Sequence, residues 1–282
     1  VVSLGILIVF KYMDFIIKNI NYISNSNIKL LRLVLPIGIS FYTFQGLSYI
    51  VDVYKKDAKV CRSFVDFATY VCLFPQLIAG PIVRYTTIED ELKNRTHSFD
   101  KFAYGVNRFV VGLAKKVILA NNLGMIVDIM TKSNEKSVLS YWMVAIFFSL
   151  QIYYDFSGYS DMAIGLGRMF GFDFLENFNY PFISKSIKEF WRRWHISLSS
   201  FFRDYVYIPL GGNRVSRGRW IFNLLIVWSL TGLWHGDSWN FILWGLYFVL
   251  LILLERSVWG RILVKLPVFL LRVYTFSLVL FS

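Results

Sequence analysis

The sequence predicts an all-α protein that crosses a membrane several times, and three observations carry that prediction. Of 282 residues, 56% are hydrophobic and 19% aromatic, where soluble domains sit near about 45–50% apolar. The apolar residues form long runs along the whole chain, as lipid-facing surface requires. The charges lie between those runs, and 30 Lys and Arg against 18 Asp and Glu give a net +12. On a soluble domain that balance would point to nucleic acid. Here it fits cytoplasmic loops and anionic headgroups, so membrane lipid, and no nucleic acid, is the expected partner.

A spanning helix needs roughly 20 apolar residues. Runs at 1–18, 31–51, 64–83, 102–129, 139–170, 220–234, 239–254 and 262–282 are the candidate spans or half-spans. Short polar loops separate several of them: Lys55 to Arg62, Arg84 to Lys101, and Thr131 to Ser137. One bundle covering 1–282 is the simplest organisation. VVSLGILIVF at the start reads as the inside of an apolar helix, and VYTFSLVLFS at the end stops within a run. The sequence therefore reads as a piece of a chain that is longer at both ends. Cys61 and Cys72 sit in or beside apolar sequence and read as small core residues, not as a disulfide or metal pair.

Residues 185–219 differ, with eight basic residues and two acidic ones. At helical spacing Ile187, Trp191, Trp194, Leu198, Phe201 and Tyr205 make one stripe, with Lys188, Arg192 and Ser199 on another side and His195 at the border. An amphipathic helix at the membrane surface or packed into a bundle is expected, with its basic loops in the cytoplasm. Between Arg219 and Glu255 an almost uncharged stretch is interrupted at Trp234-His235-Gly236-Asp237. Each arm has about 15 residues, or about 22 Å of helix, short of the roughly 30 Å hydrocarbon core. The arms predict a re-entrant hairpin with His235 at its apex; a complete crossing of a locally thin membrane stays open.

Ionisable groups inside a membrane are costly and usually face a cavity or a partner. The three histidines are therefore informative. His97, in the polar loop KNRTHSFD, reads as solvated. An imidazole at His235 can take a proton from a hydroxyl near neutral pH; Gly236 would let another group approach, and Asp237 could orient the base or cap the second arm. His195, at the edge of an aromatic-rich helix, reads first as structural, with Arg192, Arg193, Arg203 and Asp204 as interfacial ion pairs; the alternative makes these residues a cytoplasmic mouth that attracts an anionic donor. In 151–171, Gln151, Asp155 and Tyr159 form one polar row and Ser157 and Asp161 another. Asp155 and Asp161 either bind neighbouring helices or line a hydrophilic path. Gly158, Gly165 and the Gly167/Gly171 pair permit close helix packing. No metal-ligand pair or phosphate-binding glycine loop is visible.

The stretches YYDFSGYSDMAIGLGRMFGFDFLENFNYPF, SIKEFWRRWHISLSSFFRDYVYIPLGGNR and GLWHGDSWNFILWG occur in that order, preceded by FYTFQGLSYIVDVY and LFPQLIAGPIVR. Together they resemble the membrane-bound O-acyltransferase superfamily, in its bacterial polysaccharide O-acetylation branch and, more distantly, its teichoic acid D-alanyl transfer branch. The resemblance covers about 33–256. It implies a ring of membrane helices around a thin central funnel, His235 as the catalytic residue and His195 as a second signature residue. Asp237 stands where the family often has Ala. It further implies a multi-pass protein of the bacterial plasma membrane with no bound cofactor or metal. The donor would be acetyl-CoA or another acyl thioester, approaching near 185–219 with Arg193, Arg203 and Asp204 at the entrance. The acceptor would be an exported polysaccharide, with an extracytoplasmic acetyltransferase as partner. N–H groups near Trp234 and Trp239 are candidate oxyanion donors. Two alternatives stay open: D-alanyl or acyl transfer from an acidic carrier protein, and a glycan transporter or flippase without acyl transfer.

Overall fold

A computed structural model describes residues 2–77, 80–134 and 137–282. Every regular element among them is helical. The chain forms two compact units: residues up to Cys72 together with Ser200–Leu253, and Leu73–Ser199 together with Leu254–Ser282. Ile78 and Ala79 of LFPQLIAGPIVR, Glu135 and Lys136 of the expected 131–137 loop, and Val1 of the first run lie outside the described residues.

In the first unit, α1 runs over 2–24 and contains a π-helical turn at Ile8–Tyr12. α2 is Ile39–Lys55 and α3 is Phe64–Cys72. The expected span 31–51 is thus shorter at its start. Pro36 cannot continue a helix inward, and Asp14 of α1 holds the preceding chain by accepting the N–H groups of Leu31 at 2.7 Å and Arg32 at 3.0 Å. The expected span 64–83 is also corrected. It breaks at Leu73 and resumes, in the second unit, as the short α4, Phe74–Leu77, which Pro75 opens. Cys72, the last residue of α3, is exposed and Cys61 is half-buried, so neither is the core residue expected of it.

The second unit is built on two long helices. After α5, Tyr85–Lys93, comes α6, Phe99–Lys132, continuous through a π-helical turn at Lys115–Ala120. Ser98 caps α6 by accepting the Lys101 N–H. α7, Val138–Met169, starts at a reciprocal cap between Ser137 and Ser140. Among the described residues, α6 is the one helix long and apolar enough to cross a membrane. α7 has the length, with 32 residues, but carries Asp155, Asp161 and Arg168. Apolar side chains of α6 such as Val110, Val117, Ile118 and Ile129 are exposed.

α6 and α7 cross along a seam of glycines seven residues apart on each helix. A Cβ on Gly105 would stand 2.6 Å from the Gly165 carbonyl oxygen, and one on Gly112 would stand 2.6 Å from that of Gly158. Gly158 and Gly165 therefore have the close-packing role that their spacing predicts.

The expected amphipathic helix over 187–205 is two helices: α8, Ile187–Arg193, and α9, Ile196–Phe202, which runs into a π-helical turn at Arg203–Tyr207. Its apolar stripe is nevertheless buried at Ile187, Leu198 and Phe201. α10, Arg217–His235, and α11, Trp239–Glu255, form the predicted hairpin. They meet backbone to backbone, since a Cβ on Gly232 would collide with the Phe241 carbonyl and one on Gly245 with that of Trp228. The last run is divided by Pro267 into α12, Val258–Leu263, and α13, Val268–Leu280.

Candidate functional site

α10 ends at His235 because the next residues, Gly236 to Ser238, turn the chain into α11. A Cβ on Gly236 would enter the Phe241 ring, so glycine admits the first turn of α11 close against the apex. The His235 ring stands edge-on to two indoles: Trp234, with centroids 5.0 Å apart, and Trp244 of α11, at 4.9 Å. The residue is exposed at the surface of its unit, as is Asp237. An imidazole held in orientation on two sides and open on a third can meet a hydroxyl and accept its proton. Trp244 was not singled out by the sequence; GLWHGDSWNFILWG has three tryptophans and nothing local separates them. Trp239, a candidate oxyanion donor, already gives its indole N–H to Asn19 at 2.8 Å.

The end of any α-helix leaves its last carbonyls without intrahelical partners. Here α1 supplies them. Lys11 Nζ donates to the Trp234 carbonyl and, at 3.1 Å, to Ser40 Oγ. Tyr12 donates its hydroxyl to the Leu233 carbonyl at 2.8 Å. The ammonium also lies 5.7 Å from the centre of a Trp234 ring, and it acts electrostatically on both His235 and Asp237. Trp234 is further held by Phe41 and Phe44 of α2, at 5.4 and 6.2 Å between centroids. Lys11 escaped the sequence reading although it carried a usable signal: a lone ammonium inside an apolar run.

Phe44 also stacks on Phe201 at 4.2 Å, and the π-helical turn that follows carries Arg203 and Asp204. These two pair with each other, Nε to Oδ1 at 2.6 Å, with Arg203 mostly exposed. The adjacent Tyr205 donates its hydroxyl to buried Asp52 at 2.7 Å. Asp52, at the end of FYTFQGLSYIVDVY, is a buried carboxylate with a partner that local sequence does not reveal.

His195 belongs to the second unit and is 1% exposed. The helical stripe placed it at a border. Instead Trp194 is extended and His195 is left-handed, with φ of 43°, an uncommon region for a residue with a Cβ. Asn177 makes this break stable. Its backbone carbonyl accepts the Ile196 N–H at 2.9 Å. Its side-chain oxygen accepts the Ser197 N–H at 3.1 Å and hydroxyl at 2.9 Å, and lies 3.2 Å from His195 Nδ1. Phe156 packs edge-on to the imidazole at 4.6 Å. Arg193 is occupied nearby, with Glu189 at 2.9 Å and the Asn179 carbonyl at 3.1 Å. Burial pushes the Glu189 carboxyl up, but the Lys185 N–H and Arg193 outweigh it and hold it below its ordinary value. Its stabilising effect is therefore present above the ordinary carboxylate pKa and lost as pH falls through the lower folded value. Asn177→Ala strips the Ser197 N–H and hydroxyl of their acceptor and removes the donation to Ser160, and we expect it to cost about 1–3 kcal/mol, read as a lower melting temperature in detergent.

Asp155 and Asp161 also lie in the second unit, and both are paired. Asp161, with 8% of its side chain exposed, receives Arg108 at 2.6 Å and Lys115 at 2.5 Å. Arg108 continues to Glu176 at 2.6 Å. Asp155 receives Lys116. The π-helical turn of α6 starts at Lys115 and carries both lysines to the carboxylates of α7. This geometry matches the reading in which the carboxylates bind a neighbouring helix. Removing a buried partner costs about 3–5 kcal/mol. With both cations about a quarter exposed, Asp161→Ala is expected to cost about 2–3 kcal/mol, measurable as reduced thermal stability. No cluster of three or more His, Cys, Asp or Glu side chains suited to a metal ion occurs among the described residues.

The site residues thus divide between the units. Trp234, His235, Asp237, Arg203 and Asp204 lie in the first, and Asp155, Asp161, Arg193 and His195 in the second.

Comparison with known proteins now bears on this geometry. The chain is 48% identical over 261 residues to the "Probable alginate O-acetylase AlgI" of Azotobacter vinelandii, covering 91% of this chain and 52% of that protein. It is 39% identical over 274 residues to a peptidoglycan O-acetyltransferase of Helicobacter pylori, covering 87% and 52%. With a teichoic acid D-alanyltransferase of Bacillus subtilis it shares 33% identity over 233 residues, covering 78% and 58%. The chain spans about half the length of the relatives it matches. Residues 58–263, which include both His195 and His235, match the family model described as MBOAT, membrane-bound O-acyltransferase family, and the chain belongs to that family.

Proposed function

We propose that the protein is a multi-pass O-acyltransferase of the bacterial plasma membrane, which moves an acetyl group from a cytoplasmic thioester, acetyl-CoA, toward an exported polysaccharide. The observation that carries this reading is His235: an exposed imidazole at the apex of an apolar hairpin, braced between two indoles, in a chain of this family. In the proposed step His235 removes the proton from an acceptor hydroxyl as its oxygen attacks the thioester carbonyl. The tetrahedral intermediate then expels the thiolate, and the imidazolium returns its proton to the leaving sulfur. A helical ring around a thin centre would let donor and acceptor reach the imidazole from opposite sides. The exposed apolar side chains of α6 fit a lipid environment. The basic 185–219 segment fits a cytoplasmic face that attracts the anionic donor. Transfer of this kind calls for a polysaccharide acceptor and an extracytoplasmic acetyltransferase that completes it.

A second reading is favoured by the D-alanyltransferase relative: the acyl group arrives on a small acidic carrier protein, and the same imidazole serves. Incubating native membranes with acetyl-labelled CoA separates the two. Label appearing in glycan, and absent from membranes lacking the protein, is the expected result. Transfer only when a charged carrier is added would replace acetyl-CoA as donor, and no acyl transfer from either donor would contradict the proposal.

A further inference from the structure

The contacts that hold the apex come from the far end of the chain. Lys11 and Trp234 are 223 positions apart in sequence, and residues 2–24 precede the segment that the family model matches. We propose that Lys11, seconded by Tyr12, is a positioning residue for acyl transfer: it fixes the Trp234–His235 helix end. The inference rests on His235 as the reacting imidazole.

Four observations converge on it. The π-helical turn Ile8–Tyr12 widens α1 at the place where Lys11 and Tyr12 leave it, and such turns often mark functional positions. The two side chains take the carbonyls of consecutive residues, Leu233 and Trp234, immediately before His235. A cation at the C-terminal end of α10 opposes the partial negative charge that the helix gathers there. Ser40, at the start of α2, takes another of the ammonium's protons at 3.1 Å. The lysine thereby ties the apex to the helix whose Phe41 and Phe44 pack on Trp234. With these contacts gone, the last turn of α10 is free to fray and the imidazole loses its fixed direction. Misplacing a reacting group by about 1 Å can lower turnover about 100-fold without weakening donor binding.

The test measures kcat and KM for acetyl-labelled CoA in native membranes, normalised to folded protein. Lys11→Met is expected to lower kcat about 10- to 100-fold with KM within about twofold, and Lys11→Arg to recover most of that loss. Tyr12→Phe, which keeps the charge and removes one contact, should lower kcat about 3- to 10-fold. Wild-type kcat in Lys11→Met overturns the inference. So does an equal loss in Lys11→Met and Lys11→Arg. If Lys11→Met does not accumulate as folded protein, Tyr12→Phe decides, and unchanged kcat there overturns the inference. His235→Ala run alongside tells the two failures apart. An inactive His235→Ala with a normal Lys11→Met removes only the role of Lys11, whereas an active His235→Ala removes the catalytic reading as well.

Discussion

Replacing His235 by Ala is expected to abolish acyl transfer while leaving the protein folded. The side chain lies at the open apex of the hairpin, where its contacts are the edges of Trp234 and Trp244. Truncation therefore opens no sealed core, and the packing of α10 on α11, set by Gly232 and Gly245, is untouched. Stability should change by less than about 1 kcal/mol, as at other surface positions. Chemistry should change far more. A general base contributes typically about 10²–10⁴-fold, so transfer should fall to the background of a membrane assay. Initial rates with acetyl-labelled CoA, set against melting temperature in detergent, measure both quantities. A wild-type rate in His235→Ala would remove the imidazole from the mechanism.

The largest effect on folding is expected at the glycine seam of the second unit. A Cβ on Gly112 would lie 2.6 Å from the Gly158 carbonyl oxygen, 2.7 Å from the Met162 nitrogen and 2.9 Å from the Asp161 Cβ. Two of the three are backbone atoms of α7, which cannot turn aside as a flexible side chain would. Overpacking a core typically costs about 1–3 kcal/mol, and Gly112→Val, which drives a branched side chain into backbone, should reach or exceed about 3 kcal/mol. It should also part Lys115 from Asp161, since the lysine follows Gly112 by one turn of the same helix. Gly124, further along α6, is the control. A Cβ there meets only the Gln151 side chain, at 3.6 Å. Gly124→Ala should be neutral or stabilising by up to about 1 kcal/mol through helix propensity. Thermal unfolding of the purified variants reads the difference; equal stability of Gly112→Val and Gly124→Ala would refute the seam.

Much of the helical layout could be read from apolar runs, because burial and lipid exposure both demand long stretches without charge. The hairpin of α10 and α11, the apex at His235 and the small-residue crossing at Gly158 and Gly165 are local patterns of this kind. Boundaries set by other parts of the chain were harder. The start of α2 depends on Asp14 holding Leu31 and Arg32 from α1. Helical periodicity runs unbroken through Trp194 and His195, yet Asn177, 18 residues upstream of His195, offers acceptors that an intact helix would not use. Asp155 and Asp161 announced that something polar was needed, but not whether it was a path or a partner. Lys115 and Lys116 on α6 supply the ion pairs, and neither is marked in the local sequence of α7. Lys11 is the extreme case: an ammonium in an apolar run signals that it needs a partner, but the carbonyl it binds, that of Trp234, lies 223 positions away and cannot be read locally. The division of His195 and His235 between two compact units is likewise a property of packing.

The central claim is that the His235 imidazole meets the reacting acyl group. The measurement that tests it most directly is an experimental structure of the protein in lipid with a non-hydrolysable thioether analogue of acetyl-CoA. A base that acts through one intervening hydroxyl should stand with an imidazole nitrogen roughly 5 Å from the acyl carbon, at the end of a passage open to solvent. The account predicts that arrangement. An analogue bound elsewhere, with the His235 ring facing lipid tails or closed in by side chains, would contradict it.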